Sequence, residues 1–141
     1  MHRLTMARSP SLKTEFLKKL LAVSRWRLLT PVIQFLFIHM NHLLPVDRLD
    51  ENENWMAFNH PQPEYPLHLL ILPKMGIMKL SDALDQQPVL FASLFDLIKA
   101  LIDRFDLDTV GYRLITNGGP YQSIPQWHWH LISENWEGKD G

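Results

Sequence analysis

The sequence predicts an α+β fold with an antiparallel sheet of about five strands and one long helix. Three observations carry that expectation. In "PVLFASLFDLIKALIDRF", Leu90, Phe91, Leu94, Leu97, Ile98, Leu101, Ile102 and Phe105 recur at helical spacing and form one broad stripe. "LHLLILP", residues 67–73, is a short and almost continuously apolar run, the pattern of a strand buried on both faces. Toward the C-terminus, "VGYRLIT" and "SIPQWHWHLIS" flank "NGG" and read as strand, turn and strand.

The other elements follow in chain order. Ser11 is a candidate N-cap for a helix whose apolar positions are Leu12, Phe16, Leu17, Leu20 and Leu21. Pro31 suits the first turn of a second helix running to about His42. Residues 1–43 therefore read as an N-terminal helical extension and 44–141 as the main domain. Beyond this point the period changes. "LPVDRL" and "NWMAFNH" flank "DENE" as two strands of a hairpin, and the prolines of "HPQPEYP" impose an extended loop. Ser81 can cap a short helix, "SDALDQQ", and Pro88 opens the long one. Lys74 is expected to follow its strand into solvent, and the tail "ENWEGKDG" to be loose.

Composition narrows the chemistry. At 141 residues the chain is long enough for one domain with a real core. It has no cysteine, which excludes disulfides, thiolate nucleophiles and cysteine-ligated metal centres, and which suits a cytoplasmic location. Residues 1–30 carry seven Lys/Arg against the single acid Glu15, while the whole chain has a net charge of −1. That basic arm is either a solvated helix face or a peripheral contact for an anionic membrane through residues 1–43; no nucleic-acid partner is expected. "LLTPVIQFLFIHMNHLL", residues 28–44, is interrupted by Gln34, His39, Asn41 and His42, so it reads as a buried or interfacial helix rather than a span. His39 and His42 lie one helical turn apart, and a polar stripe explains them.

The chemistry concentrates in "YQSIPQWHWHLIS", residues 121–133. In a strand, residues two apart share a face, so Gln126, His128 and His130 would project together and Trp127, Trp129 and Leu131 oppositely. The indoles would then pack on the helix at residues 89–105. Three uses of the imidazoles are open on spacing alone. They could share a metal with His60 or His68, attack phosphorus as nucleophile and phosphate binder, or be polar surface residues.

Two further segments shift the balance among these three. "WMAFNHPQPEYPLHLLILPK", "GYRLITNGG" and "QSIPQWHWHLI" together resemble the histidine-triad (HIT) family of nucleotidyl hydrolases and transferases. The family signature is His, apolar, His, apolar, His and two apolar residues, with an upstream strand of the form found here at Pro66-Leu67-His68-Leu69-Leu70-Ile71-Leu72-Pro73-Lys74. The resemblance covers about residues 45–132 and implies a HIT-like domain. It implies that His128 is the nucleophile at the α-phosphorus, that His130 contacts the phosphate as a cationic neighbour, and that His68 lines the same site. It also implies phosphate or nucleotide contacts for Ser123 and Asn117, and an apolar place beside base or ribose for Phe58. No cofactor or metal is required, the ligand is a small nucleotide or phosphoryl compound, and family members commonly pair as homodimers, for which Phe91 and Phe95 offer an apolar surface.

Two positions depart from the family pattern. Gln126 stands where the first triad histidine belongs; its backbone carbonyl can still orient His128, but its side chain cannot shuttle a proton. His60 stands where the family places the acid for the ribose diol, and an imidazole cannot accept both hydrogen bonds of a cis-diol. The expectation is a HIT-type hydrolase or nucleotidyl transferase, with a catalytically degenerate nucleotide-binding protein and a His-ligated metal site as alternatives.

Overall fold

The structure, a computed structural model, describes residues 47–138 and, near the N-terminus, residues 12, 13, 15, 16, 18 and 19, all six in helical conformation. The second expected helix, the apolar stretch 28–44, His39 and His42 lie outside the described residues. Among the described residues no helix is long and apolar enough to cross a membrane.

Five strands form one sheet: β1 (Arg48–Glu51), β2 (Trp55–Asn59), β3 (Leu67–Pro73), β4 (Arg113–Thr116) and β5 (Trp129–Ser133). Their order is β1-β2-β3-β5-β4, and every neighbouring pair is antiparallel, as the sequence predicts. The β1–β2 turn is closed by Asn52, whose Oδ1 accepts from the Asn54 N–H at 3.0 Å and the Trp55 N–H at 2.9 Å. The same side chain donates to the Ser93 carbonyl at 2.7 Å, which ties the hairpin to the long helix.

Three helices connect β3 to β4: α1 (Leu80–Ala83), α2 (Pro88–Arg104) and α3 (Leu107–Val110). Pro88 sits in the first turn of α2, where a missing N–H costs nothing. α2 buries Leu90, Leu94, Leu97, Ile98 and Leu101 on the sheet face formed by Trp55, Ala57, Leu67, Leu69, Ile71 and Leu131. The strand period sends the intervening residues Met56, Phe58, His68, Leu70, His130 and Ile132 to the opposite face. All seven residues of β3 are buried, consistent with a strand flanked on both sides in the middle of the sheet.

Several expectations need correction. Ser81 is not a cap: α1 starts at Leu80 with Lys79 as N-cap and no capping side chain. α3 has no counterpart in the sequence reading, because four residues following the left-handed Asp106 (φ 51°) leave no periodic signature. β5 begins only at Trp129, and residues 122–128 are irregular; Pro125 has no N–H to give a ladder. Residues 134–136 of the tail are packed: Trp136 meets Phe105 edge-on at 5.7 Å, while Glu134 pairs with Arg113 and Asn135 donates to the Val110 carbonyl at 3.3 Å. Lys74 turns back to Glu51, with its Nζ 2.6 Å from the carboxylate.

Candidate active site

Four histidines converge on the sheet face opposite α2. His68 lies on β3 and His130 on β5, in diagonal positions, since His68 is registered with Ile132 and Leu70 with His130. His60 follows β2 and extends its ladder, its N–H donating to the His68 carbonyl at 2.8 Å. That places its ring flat on His68, with centroids 4.1 Å apart. His128 lies one residue before β5, its ring 4.9 Å from that of His130. These four side chains, with Asn117, Ser123, Leu70, Ile124 and the 62–64 loop, line a cleft of about 670 Å³. A group outside the sequence reading also reaches it: Lys18, from the helical positions near the N-terminus.

Backbone partners fix the imidazole tautomers. The Glu64 N–H donates to His68 Nδ1 at 3.2 Å, so the His68 proton is on Nε2 and is donated to His130 Nδ1 at 2.9 Å. His130 therefore carries its own proton on Nε2. The Gln62 N–H donates to His60 Nδ1 at 3.0 Å, which puts that ring in the same tautomer. His128 is the opposite case. Its Nδ1–H donates to the Gln126 carbonyl at 2.8 Å, so its Nε2 holds an unprotonated lone pair.

The region before β5 is held by its neighbours in place of a ladder. The Trp127 N–H donates to the Ile77 carbonyl at 2.7 Å, and its indole N–H to Thr116 Oγ1 at 2.8 Å. The Thr116 hydroxyl in turn donates to the His128 carbonyl at 2.9 Å. Trp127 is fully buried in the core, and Trp129 packs against it with centroids 5.8 Å apart. The expected sorting of indoles inward and imidazoles outward is therefore present at His128 and His130. Gln126 departs from it. Its side chain is fully buried, donates to the Met75 carbonyl at 3.2 Å and does not line the cleft; only its backbone carbonyl reaches the site, through His128.

Two other expectations change. Phe58 is buried beside its cross-strand partner Leu70 and is not among the cleft-lining residues, whereas Leu70 and Ile124 are. His130 is not cationic: burial, reinforced by His128, His68 and His60, pushes it down to about 3. Burial and the stacked His68 push His60 down to about 4, and burial also lowers His68 and His128. The cleft thus presents neutral imidazoles at pH 7. Asn117, Ser123 and His60 do line it.

These depressed values couple stability to pH. The unfolded chain protonates its histidines near their ordinary 6.5, above the folded values of about 4 and about 3, so it binds more protons in between. Stability is full above about pH 6.5 and falls as the solution is acidified toward pH 4. With a chelator present, the melting temperature should drop by several degrees from pH 7 to pH 5. The drop should be shallower in His60→Asn and His130→Asn; identical slopes in wild type and both variants would contradict the assignment.

The signature of the HIT domain matches residues 42–136, about two-thirds of the chain. The chain belongs to the HIT family. An uncharacterized HIT-like protein of Synechococcus elongatus is 33% identical over 91 residues, which span 63% of this chain and 79% of that protein. A 14 kDa zinc-binding protein of Zea mays is 31% identical over 93 residues, 63% of this chain and 72% of its own. Among solved structures, a HIT family hydrolase from Legionella pneumophila superposes with a TM-score of 0.61 at 31% identity, covering 67% of this chain and 87% of that one. This HIT protein accordingly has the fold of the family, which it shares with that hydrolase.

Proposed function

We propose that this HIT protein hydrolyses or transfers a nucleotidyl or related phosphoryl group through a covalent intermediate on His128. The observation that carries this reading is the His128–Gln126 hydrogen bond, which leaves the Nε2 lone pair of a neutral imidazole beside His130 in the cleft. In the first step Nε2 bonds to phosphorus as the bond from phosphorus to the leaving group breaks, and the leaving group departs with the electron pair and takes a proton from solvent. In the second, water or an acceptor hydroxyl attacks phosphorus and gives up its proton to solvent, the P–N bond breaks with its electron pair going to Nε2, and the neutral imidazole returns. The His130 Nε2–H is the donor available to a phosphoryl oxygen, held in that tautomer by His68. Asn117 and Ser123 offer further polar contacts. The missing histidine side chain at Gln126 leaves the orienting carbonyl intact, so the substitution removes a proton relay and keeps the nucleophile aimed.

The test is incubation with an adenosine phosphoramidate and other nucleotidyl esters. Release of the monophosphate, with an acid-labile nucleotidyl adduct on His128 by peptide mass spectrometry, is the expected result. Micromolar binding without product would replace this reading with that of a degenerate nucleotide-binding protein. The same proposal includes the division of the chain at residues 43/44, pairing into a homodimer and a cytoplasmic location. Peripheral membrane contact through residues 1–43 is a further part of it, tested by liposome co-sedimentation.

A second reading has one observation in its favour. His60, His68 and His130 each offer a ligand nitrogen, all within 4.8 Å of one another, a donor set suited to zinc. The zinc-binding name of the Zea mays relative points the same way. Against it, a metal bound at His68 Nε2 would displace the existing bond to His130. We expect substoichiometric metal in protein purified without an affinity tag, and no change in melting temperature on chelation. One zinc per chain, lost in His60→Asn, would establish the metal site instead.

A further inference from the structure

Near the N-terminus the usual sorting of side chains is inverted. Leu12 and Phe16 stand four residues apart at helical positions, so they share a face, yet they are 91% and 55% exposed. Lys18, from the same stretch, turns toward the protein and lines the cleft. At about 100° per residue, Leu12, Phe16 and Lys19 fall within about 60° of one another, while Lys18 lies at least about 120° from both apolar residues. A single exposed leucine needs no explanation. A leucine and a phenylalanine held side by side in solvent, next to the exposed Lys19, make the outer face of an interfacial helix.

Charge decides what covers that face. Residues 1–30 hold seven Lys/Arg against Glu15 alone. A second copy of the same stretch would bring cations against cations. The apolar segment 28–44 of this chain has no Asp or Glu, so it offers the basic arm no counter-charge. An anionic bilayer supplies both halves of the match, hydrocarbon for Leu12 and Phe16 and phosphate headgroups for the cations. Nucleic acid supplies chiefly the second. The stretch is also tied to the domain, since Lys13 Nζ meets Asp47, the residue before β1, at 2.9 Å.

We infer that Leu12 and Phe16 are the side chains this protein inserts into an anionic lipid bilayer, with Lys19 beside them at the headgroups. The inference rests on the peripheral membrane contact proposed above and names its contact face; it is independent of the reaction at His128. Because Lys18 faces the cleft from the same helical stretch, the docked bilayer lies about one helix diameter, roughly 10 Å, from the cleft wall. The cleft is then held at the membrane surface rather than in bulk solution.

The experiment co-sediments the full chain with phosphatidylcholine vesicles, made with and without phosphatidylglycerol. Wild type should bind the mixed vesicles and not the neutral ones. Raising salt from about 0.1 M to 1 M, which shortens the screening length from about 10 Å to 3 Å, should weaken that binding. Leu12→Ser and Phe16→Ser should each weaken it about tenfold, and Lys19→Gln about fivefold. Leu84→Ser, which removes an exposed apolar side chain elsewhere on the domain, should leave it unchanged. Wild-type affinity in the Leu12→Ser/Phe16→Ser double variant would overturn the inference while leaving membrane contact through another part of residues 1–43. Failure of wild type to bind either vesicle would overturn both. Self-association that depends on Leu12 and Phe16, seen by light scattering without vesicle binding, would give the face to a second copy and overturn the inference, as would capture of RNA without vesicle binding.

Discussion

Replacing His128 by alanine is expected to lower turnover of a nucleotidyl phosphoramidate about 10⁴-fold or more, the usual size of effect when a nucleophile is deleted. The expectation follows from how the other imidazoles are engaged. His68 uses both ring nitrogens, one accepting from the Glu64 N–H and one donating to His130, and the acceptor nitrogen of His60 is taken by the Gln62 N–H. Of the four rings, His128 is the one whose fixed tautomer leaves a lone pair without a hydrogen-bond donor. No neighbour can substitute without breaking its own bond. Alanine also leaves the buried Gln126 carbonyl without its donor, at a cost of about 1–3 kcal/mol. His128→Asn offers an amide N–H in its place and separates chemistry from folding. Both variants should lose the adduct and the product, with the asparagine variant melting close to wild type. Product release surviving in a folded His128→Asn protein would remove His128 from the reaction.

The largest expected loss of stability belongs to Trp127→Ala, about 3–5 kcal/mol, the range for truncating a buried aromatic. Trp127 is fully buried, meets Trp55 edge-on at 5.4 Å, and packs against Phe91 and Trp129. Against a typical domain stability of roughly 5–15 kcal/mol, such a loss is a large fraction of the whole. The melting temperature should fall by about 10–20 °C, measured by scanning calorimetry. Trp127→Phe keeps much of the ring packing and removes the indole N–H donated to Thr116, so it should cost nearer 1 kcal/mol. Because the Thr116 hydroxyl also holds the His128 carbonyl, the phenylalanine variant tests whether that support is needed for turnover. A Trp127→Ala protein melting within a few degrees of wild type would mean that the core closes around the lost indole.

The sheet and the long helix were legible because their periodicities are unmixed. β3 is apolar at nearly every position, and the stripe of α2 runs from Leu90 to Leu101 without interruption. The approach to β5 was less so. Alternation through Gln126, His128 and His130 assumes an extended ladder, and Pro125 and the bends around it break that premise, which is why the Gln126 side chain went inward. Phe58 was misplaced for a related reason: the sheet face it occupies is right, but Leu70 stands between it and His130 in the register. His128 and His130 were paired by strand spacing, but spacing offered His60 and His68 only as alternatives, since cross-strand pairing is what brings both to His130. Lys18 gave no signal at all. Its neighbours in the cleft lie more than forty residues away in the chain, and nothing in a run of basic residues marks which one turns toward them.

The strand order has one more implication. β3 and β5 occupy the interior of the sheet, with β1 and β4 at its margins, so fraying begins at strands that carry none of the four imidazoles. The rings at positions 68 and 130 ride on the backbone that opens last, and partial loosening at the rim leaves their mutual placement intact. Catalytic competence and cooperative melting should then be lost together rather than in sequence.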